Sequence, residues 1–366
     1  MILCGLVLFA LSLYALVLCR IATGLRALRP GTAREQPRVS VICAARNEAN
    51  SIDDFVRCLV SQTYPSDRLQ FVLIDDRSED GTAQMLARWA QRDPRVLVVH
   101  VRELPTGVGP KKHALAKGIA HAEGELLLLT DADCRPPAGW VEGIVRYFEP
   151  DVGLVAGYAP LIGKGLLGAV VGMDTLASAA IAAAGIALGR PTTCTGRNLA
   201  YRRAVYDQVG GLVAIMNSPS GDDDLFLHLV ARHTNWQMRY AICPSTFVPG
   251  AAPGSVAELV RQRRRHLSAG WHYPSPLKLG YALLHLANAL LWLAPIGALL
   301  LGGPVVVPVA TLAAKLVLDW FILRLAARRF GETFSWAAFC IWEPYFVLSN
   351  VVLGLCSRVG QIRWRQ

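Results

Sequence analysis

The sequence predicts an α/β domain, a mostly parallel sheet with helices on both faces, flanked by N-terminal and C-terminal transmembrane helices. Three observations predict it. Between about residues 38 and 160, short Val-, Ile- and Leu-rich runs alternate with helical patterns. Hydrophobic residues make up 53% of the chain and collect at the N-terminus and in the last quarter. Charged residues fall to 17%, a composition shifted toward burial in lipid.

The first apolar run, Ile2 to Leu18, holds 17 residues without a charge and is closed by Arg20. That is the lower limit for crossing about 30 Å of hydrocarbon. Basic residues follow the run rather than precede it, and no A-x-A site comes after. Residues 1–20 therefore read as an uncleaved anchor with its N-terminus outside, not a signal peptide. The net charge of +10 does not indicate nucleic acid, because no recognition motif accompanies it. Its arginines flank the apolar runs: Arg20, Arg26, Arg29, Arg34 and Arg38 after the first, Arg261 to Arg265 before the next. The positive-inside rule puts such residues, and the domain over 38–272, in the cytosol. Nine cysteines form no C-x-x-C pair and lie at no zinc spacing, which fits a reducing compartment.

Within the domain, Arg38–Ala44, Phe71–Ile74, Val96–Val101 and Glu125–Leu129 read as strands, with helices at about 50–61, 81–92, 112–122 and 139–148. Strands apolar along their whole length imply a sheet covered on both faces. Ligands of such sheets bind beyond the carboxyl ends of the strands. The Gly- and Ala-rich stretch 161–188 contains Lys164 and Asp174 and reads as an interfacial helix under the domain. Residues 277–356 hold the C-terminal membrane segments: Leu279–Leu301, Val305–Leu323 and Phe334–Cys356, the last interrupted by Glu343-Pro344. A crossing and a broken, re-entrant segment are both open for it. A basic tail, 357–366, follows.

Two apolar strands end in acids. Phe71–Ile74 runs into Asp75-Asp76, and Glu125–Leu129 into Asp131-Ala132-Asp133. Acids brought to one sheet edge repel each other unless a cation or hydrogen-bond donors occupy the rim. A carboxylate there can hold Mg²⁺ or Mn²⁺ while substrate phosphates and water complete the shell. Helix capping is the alternative for each acid taken singly, with Asp80-Gly81 opening the next helix in the first case. Four more pieces bear on the same rim. Ala44, Arg46 and Glu48 follow the first strand, where a base and phosphate would lie. Lys111 and Lys112 stand at a helix start, a suitable anion site. Asp222, Asp223 and Asp224 open another helix, and Arg261 to His266 form a dense cationic run.

In this order the pieces resemble the family 2 glycosyltransferases, especially the membrane-bound branch of ceramide glucosyltransferase and the cellulose and hyaluronan synthases. The family's pattern of D, D-x-D, (E/T)-D and (Q/R)-x-x-R-W is met here by Asp75-Asp76, Asp131-Ala132-Asp133, Asp222-Asp223 and Gln262-Arg263-Arg264-Arg265-His266. The resemblance covers roughly residues 38 to 272 and implies the GT-A (nucleotide-diphospho-sugar transferase) fold. It implies that Asp75, Asp76 and Glu48 hold the nucleotide with Lys111 nearby, that Asp131 meets ribose or sugar, and that Asp133 meets the metal. Asp223 matches the catalytic base, with Asp222 or Asp224 as the other occupants of that slot. Gln262 and Arg265 would face the diphosphate, His266 the acceptor, and Gly196-Arg197-Asn198 would line the pocket.

Two departures stand out. His266 replaces a tryptophan that offers a stacking face in polymer synthases, and the aspartate run lacks the usual glutamate. Both disfavour a chain-extending synthase. The expected reaction is transfer, with inversion, from a nucleotide-sugar (a UDP-sugar) to a lipid acceptor at a bacterial inner or plasma membrane. An aspartate base with an ordinary pKa of about 3.9 is ionised at neutral pH and needs positioning more than tuning. A non-catalytic membrane partner with a degenerate transferase fold is the reading of another class.

Overall fold

The computed structural model describes residues 1–357, so the basic tail falls outside the described residues apart from Ser357. Helix α1 (Ile2–Ala27) leads into β1 (Val39–Ala45), α2 (Ile52–Val60), β2 (Leu69–Asp76), α3 (Thr82–Arg92), β3 (Val96–Val101), α4 (Pro110–Ile119), β4 (Leu126–Leu129), α5 (Trp140–Val145) and β5 (Val152–Gly157). Next come β6 (Leu161–Ile162), α6 (Gly165–Ala187), β7 (Leu199–Arg202), α7 (Arg203–Gln208), α8 (Asp224–His233), β8 (Gln237–Ala241), β9 (Gly250–Ala251) and α9 (Val256–Ala269). The chain ends in α10 (Ser275–Leu300), α11 (Val306–Phe330) and α12 (Trp336–Leu348), whose last turn widens into a π-helical stretch at Ser349–Leu353.

Seven strands form one sheet in the order β3-β2-β1-β4-β7-β5-β8. All neighbours are parallel except β7, which runs against both β4 and β5. Every residue of β1 and of β4 is buried, as continuous apolar runs require of a doubly covered sheet. Alternate side chains go to opposite cores. Ile42, Ala44, Val72 and Ile74 pack with α4 and α6, while Val41, Cys43, Phe71 and Leu73 pack with α2, α3 and α5. The chain winds outward from β1 to β3 and then returns to lay β4 on the other side of β1. That reversal opens a crevice at the carboxyl ends of β1 and β4, the place where such sheets receive ligands.

Among the described residues five helices are long and apolar enough to cross a membrane: α1, α6, α10, α11 and the stretch Trp336–Leu353. Helices α1 and α11 run past their apolar cores into their basic flanks. Thus α1 continues through Arg20 and Arg26, and α11 through Arg324 and Arg328 until Gly331, whose left-handed φ of 67° ends it. Helix α12 does not break at Glu343-Pro344. Glu343 is buried against Lys315 of α11, and the irregularity comes later, at Ser349. In the stretch expected to be one helix, residues 161–162 pair with β9 as a short strand, and only 165–187 are helical. Helix α6 is buried between the sheet and helices α1, α11 and α12. It is packed so closely that a Cβ on Gly24 would lie 2.6 Å from the Ala184 backbone. Small residues permit that approach between helices.

Candidate active site

The site is assembled at the crevice from four separate stretches of chain. The turn after β4 carries Asp131, and the first turn of α4 carries Lys111. Asp222 and Asp223 sit at the start of α8, and α9 supplies Arg265. Lys111 Nζ lies 2.9 Å from Asp131 Oδ1 and 2.9 Å from Asp222 Oδ2, bridging two carboxylates that are distant in sequence. Asp223 Oδ2 accepts the Gly196 N–H at 2.7 Å. A side chain at Gly196 would meet Asp222 Oδ2 at 3.2 Å and Lys111 Nζ at 3.3 Å, so glycine is what lets this loop close on the acids.

The three consecutive aspartates have different partners. Asp222 is held by Lys111. Asp224 accepts from Thr193 Oγ1 at 2.8 Å, from the Cys194 N–H at 2.7 Å and from the Tyr273 hydroxyl, so both its oxygens are committed to holding the 193–194 loop and the foot of α10. Among the described residues Asp223 takes only backbone donors, Gly196 and Asp224 N–H. Burial, with the charges of Asp224 and Asp222 added, pushes the Asp223 carboxyl up to about 7. The expectation of an unperturbed aspartate is therefore wrong. A desolvated acid between two like charges becomes a much stronger base.

Asp131 shifts the other way. Burial alone would raise Asp131, but the Lys111 ammonium, with Arg197 and Arg265 behind it, holds its carboxyl below the usual range. Lys111 is raised in turn, Asp131, Asp222 and Asp223 overcoming its burial. Lys112 is not an anion site. It is buried and donates to the carbonyls of Ser218 at 2.7 Å and Ser220 at 2.9 Å, fastening the loop before Asp222. Burial lowers its ammonium to about 8.

The remaining sequence candidates fall around this centre. Asp75 and Asp76 end β2 on the neighbouring strand and have their own partners. Asp76 is fully buried in a bidentate pair with Arg77 at 2.8 and 3.0 Å, and Asp75 accepts the Ser78 N–H at 3.3 Å. Ala44 is buried near the end of β1, and Arg46 and Glu48 follow in a loop pinned to 78–82, where the Glu48 N–H donates to Thr82 Oγ1 at 2.8 Å. Asp80, just before the Gly81 cap of α3, accepts the N–H of Thr82, the helix's first residue, at 2.9 Å. On α9, Gln262 is half-buried and His266 exposed. Asn198 is a structural tie, accepting from Trp140 Nε1 at 3.0 Å and donating to the Tyr158 and Thr246 carbonyls. Sequence reasoning missed Thr193, Cys194 and Tyr273, whose only mark is that they are polar.

Among the described residues no three His, Cys, Asp or Glu side chains converge to hold a metal. Asp133 is a half-buried carboxylate two residues beyond Asp131. Such a donor set fits a divalent ion whose other ligands are substrate phosphates and water, not a closed protein cage.

These features define an α/β domain whose sheet-edge crevice is lined by acids and bridged by a lysine. The chain belongs to the family 2 glycosyltransferases. It matches Glycosyl transferase family 2 over residues 40–210 and Glycosyl transferase family group 2 over residues 126–348. It is 29% identical over 243 residues to the beta-monoglucosyldiacylglycerol synthase of Synechocystis, a match covering 64% of this chain and 48% of that protein. It is also 29% identical over 183 residues to the probable glycosyltransferase YdaM of Bacillus subtilis, covering 49% and 43%. The chain thus spans about half the length of the curated relatives it matches. In fold it is similar to the mannosyltransferase PcManGT of Pyrobaculum calidifontis, solved with GDP-Man and Mn²⁺. That match has a TM-score of 0.61 and 22% identity, and covers 97% of this chain and all of that one.

Proposed function

We propose that this protein is a membrane-bound, inverting glycosyltransferase that moves one sugar from a nucleotide-sugar, a UDP-sugar by preference, to a lipid hydroxyl at the cytosolic face of a bilayer. The observation that carries the reading is Asp223: a desolvated carboxyl with no side-chain donor, set beside the Lys111-bridged acids at the strand crevice. With its pKa raised to about 7 it is poised to take a proton from an acceptor hydroxyl near neutral pH. Asp222 is held by Lys111 and Asp224 by Thr193 and Tyr273, which leaves Asp223, held by backbone N–H groups, as the base, and a single base with no carboxylate nucleophile predicts inversion.

Lys111, Arg197 and Arg265 surround Asp131 with positive charge, where a departing diphosphate would need it. Asp133 would hold Mg²⁺ or Mn²⁺, which supplies further charge stabilisation to that leaving group. Glu48, Arg46 and Gln262 would border the donor, and His266 the acceptor. A lipid acceptor is supported by the apolar helices and by the likeness to the Synechocystis beta-monoglucosyldiacylglycerol synthase. The basic residues after α1 and α11 support a cytosolic domain. The test is to incubate the purified protein with Mn²⁺, lipid vesicles and a panel of radiolabelled UDP- and GDP-sugars, then extract lipids. Label in a lipid bearing one sugar is expected. Label only in free sugar or in long polymer refutes the reading.

A further inference from the structure

The apolar helices fall into two groups by where their ends are tied. Both ends of α6 are held by the sheet domain. Before it, Leu161 and Ile162 pair with Gly250 and Ala251 of β9. After it, Thr193 Oγ1 and the Cys194 N–H donate to Asp224, at the start of α8, at 2.8 and 2.7 Å. A crossing helix of 23 residues sets its ends about 34 Å apart, on opposite faces of a bilayer. A folded polar domain lies on one face only, so α6 does not cross.

The stretch Trp336–Leu353 has the same property. Ahead of it, Phe330 stacks at 4.8 Å on Tyr158, which follows β5, and Arg329 donates to the Leu28 carbonyl beyond α1. Behind it, the basic helix α9 holds the chain. Arg263 donates to Asn350 Oδ1 at 3.3 Å and Arg264 to the Cys356 carbonyl at 3.3 Å, while Trp271 Nε1 donates to Ser357 Oγ at 2.9 Å. Arg263 also pairs with Asp174 of α6 at 2.6 Å, which ties both helices to α9. Tryptophans stand at both ends, as they do at a membrane–water interface. Trp320 and Trp336 meet at 4.3 Å beside Arg324 at one end, and Trp271 marks the other. Between the ties, Ala338, Phe339, Trp342 and Glu343 are buried. The exposed residues are Trp336, Ala337, Cys340, Ile341, Leu348 and Val352, and none carries a charge.

We infer that α6 and the stretch Trp336–Leu353 form a floor in the plane of the leaflet nearest the domain, and that the exposed stripe of α12 is seated among that leaflet's acyl chains. Of the five apolar helices, only α1, α10 and α11 then cross. Acyl chains are the partner because the stripe is apolar along its length, while Arg324 and Arg264 flank it where headgroups begin. The chain leaves Ser357 on the domain's own face. The basic residues beyond it then obey the charge rule that a fourth crossing would break. That this face is the cytosolic one rests on the proposed function, whereas the floor itself does not.

The test places a protease-cleavable epitope tag in the full chain at one of three positions: the exposed Gly107 turn of the domain, Gly303 between α10 and α11, or after Gln366. Sealed right-side-out and inside-out membrane vesicles are then digested. The tags at Gly107 and after Gln366 are expected to be cut from one face and the tag at Gly303 from the other. A tag after Gln366 that is cut together with the one at Gly303 overturns the floor. If the first two are both cut from outside, the floor stands and the cytosolic placement falls. A second measurement reads depth from nitroxides on Trp336→Cys and Val352→Cys, with the other reactive cysteines changed to serine. The two labels are expected within about 5 Å of the same depth, whereas a crossing separates them by about 24 Å. A nitroxide on Leu348→Cys is expected to collide freely with dissolved oxygen in the acyl region. Broadening of its spectrum by a label on a second chain would show that another copy covers the stripe, and overturn the lipid seat.

Discussion

Lysine bridges two carboxylates at two places in this molecule, and the two bridges have opposite surroundings. Lys111 joins Asp131 and Asp222 at the sheet crevice, with side-chain exposures of 20, 31 and 11%. Lys315 joins Asp319, at 2.9 Å, and Glu343 inside the bundle of α1, α11 and α12, with exposures of 1, 7 and 2%. Tyr14 of α1 adds a hydrogen bond to Asp319 at 2.8 Å. The same three charges therefore serve two ends. In the crevice the lysine is open to water and, in the proposed reaction, could exchange a carboxylate for an incoming phosphate. In the bundle no partner can be exchanged, and the cluster fixes which faces of three helices meet. What separates a site from a fastener here is access, not composition.

The largest effect tests the crevice. Asp223→Asn is expected to cut transfer about a thousandfold, the usual worth of a well-placed base, while donor binding by calorimetry stays near wild type. Wild-type turnover in that variant would move the base to another aspartate. Next comes the bundle. Lys315→Met leaves two carboxylates buried without a cation, and should destabilise the protein by about 3–5 kcal/mol in detergent unfolding. Adding Asp319→Leu and Glu343→Leu should recover most of that loss. If the triple variant is no better than the single, the cluster does more than fasten helices.

Lys111→Met separates the two bridges most directly. It should lower transfer about a hundredfold, as loss of one charge-stabilising donor does, yet cost little stability because water can solvate the freed acids. A variant that unfolds as readily as Lys315→Met would show the crevice bridge to be a fastener too.

Much of the crevice is legible in the sequence because strands announce themselves locally. An apolar run that ends in Asp-x-Asp states both the strand and where its acids emerge, and β1 to β4 fall within a few residues of the expected bounds. The bundle is less legible. Glu343-Pro344 reads as an interruption in an apolar segment, since nothing nearby in sequence reveals that Lys315 is waiting one helix earlier to neutralise the glutamate. The same holds for Asp224. Its engagement by Thr193, Cys194 and Tyr273 is a tertiary fact, and without it three adjacent aspartates are equivalent candidates. Asp75-Asp76 shows the converse: a legible pair, of which Asp76 is taken up by Arg77 next to it in the chain.

The smallest effect concerns how the crevice tunes its base. Asp223 is raised from 3.8 to about 7, first by burial and then by Asp224 and Asp222. Its folded-state pKa thus lies above its unfolded value, so the folded form binds the extra proton between them. This group's contribution to stability is greatest below pH 4 and declines as pH rises through 7. Activity runs the opposite way, because only the ionised carboxylate accepts a proton. The acid limb of kcat/KM should therefore lie near pH 7. Asp224→Asn keeps an acceptor for Thr193 and Cys194 but removes the nearest like charge, and should move that limb down by about one unit. No such limb exists in the bundle reading, where the carboxylates never meet a reacting proton, so the same pH series on Glu343→Gln should leave the limb in place. A limb that follows Glu343 instead of Asp224 would mean that the buried bridge, not the open one, governs the chemistry.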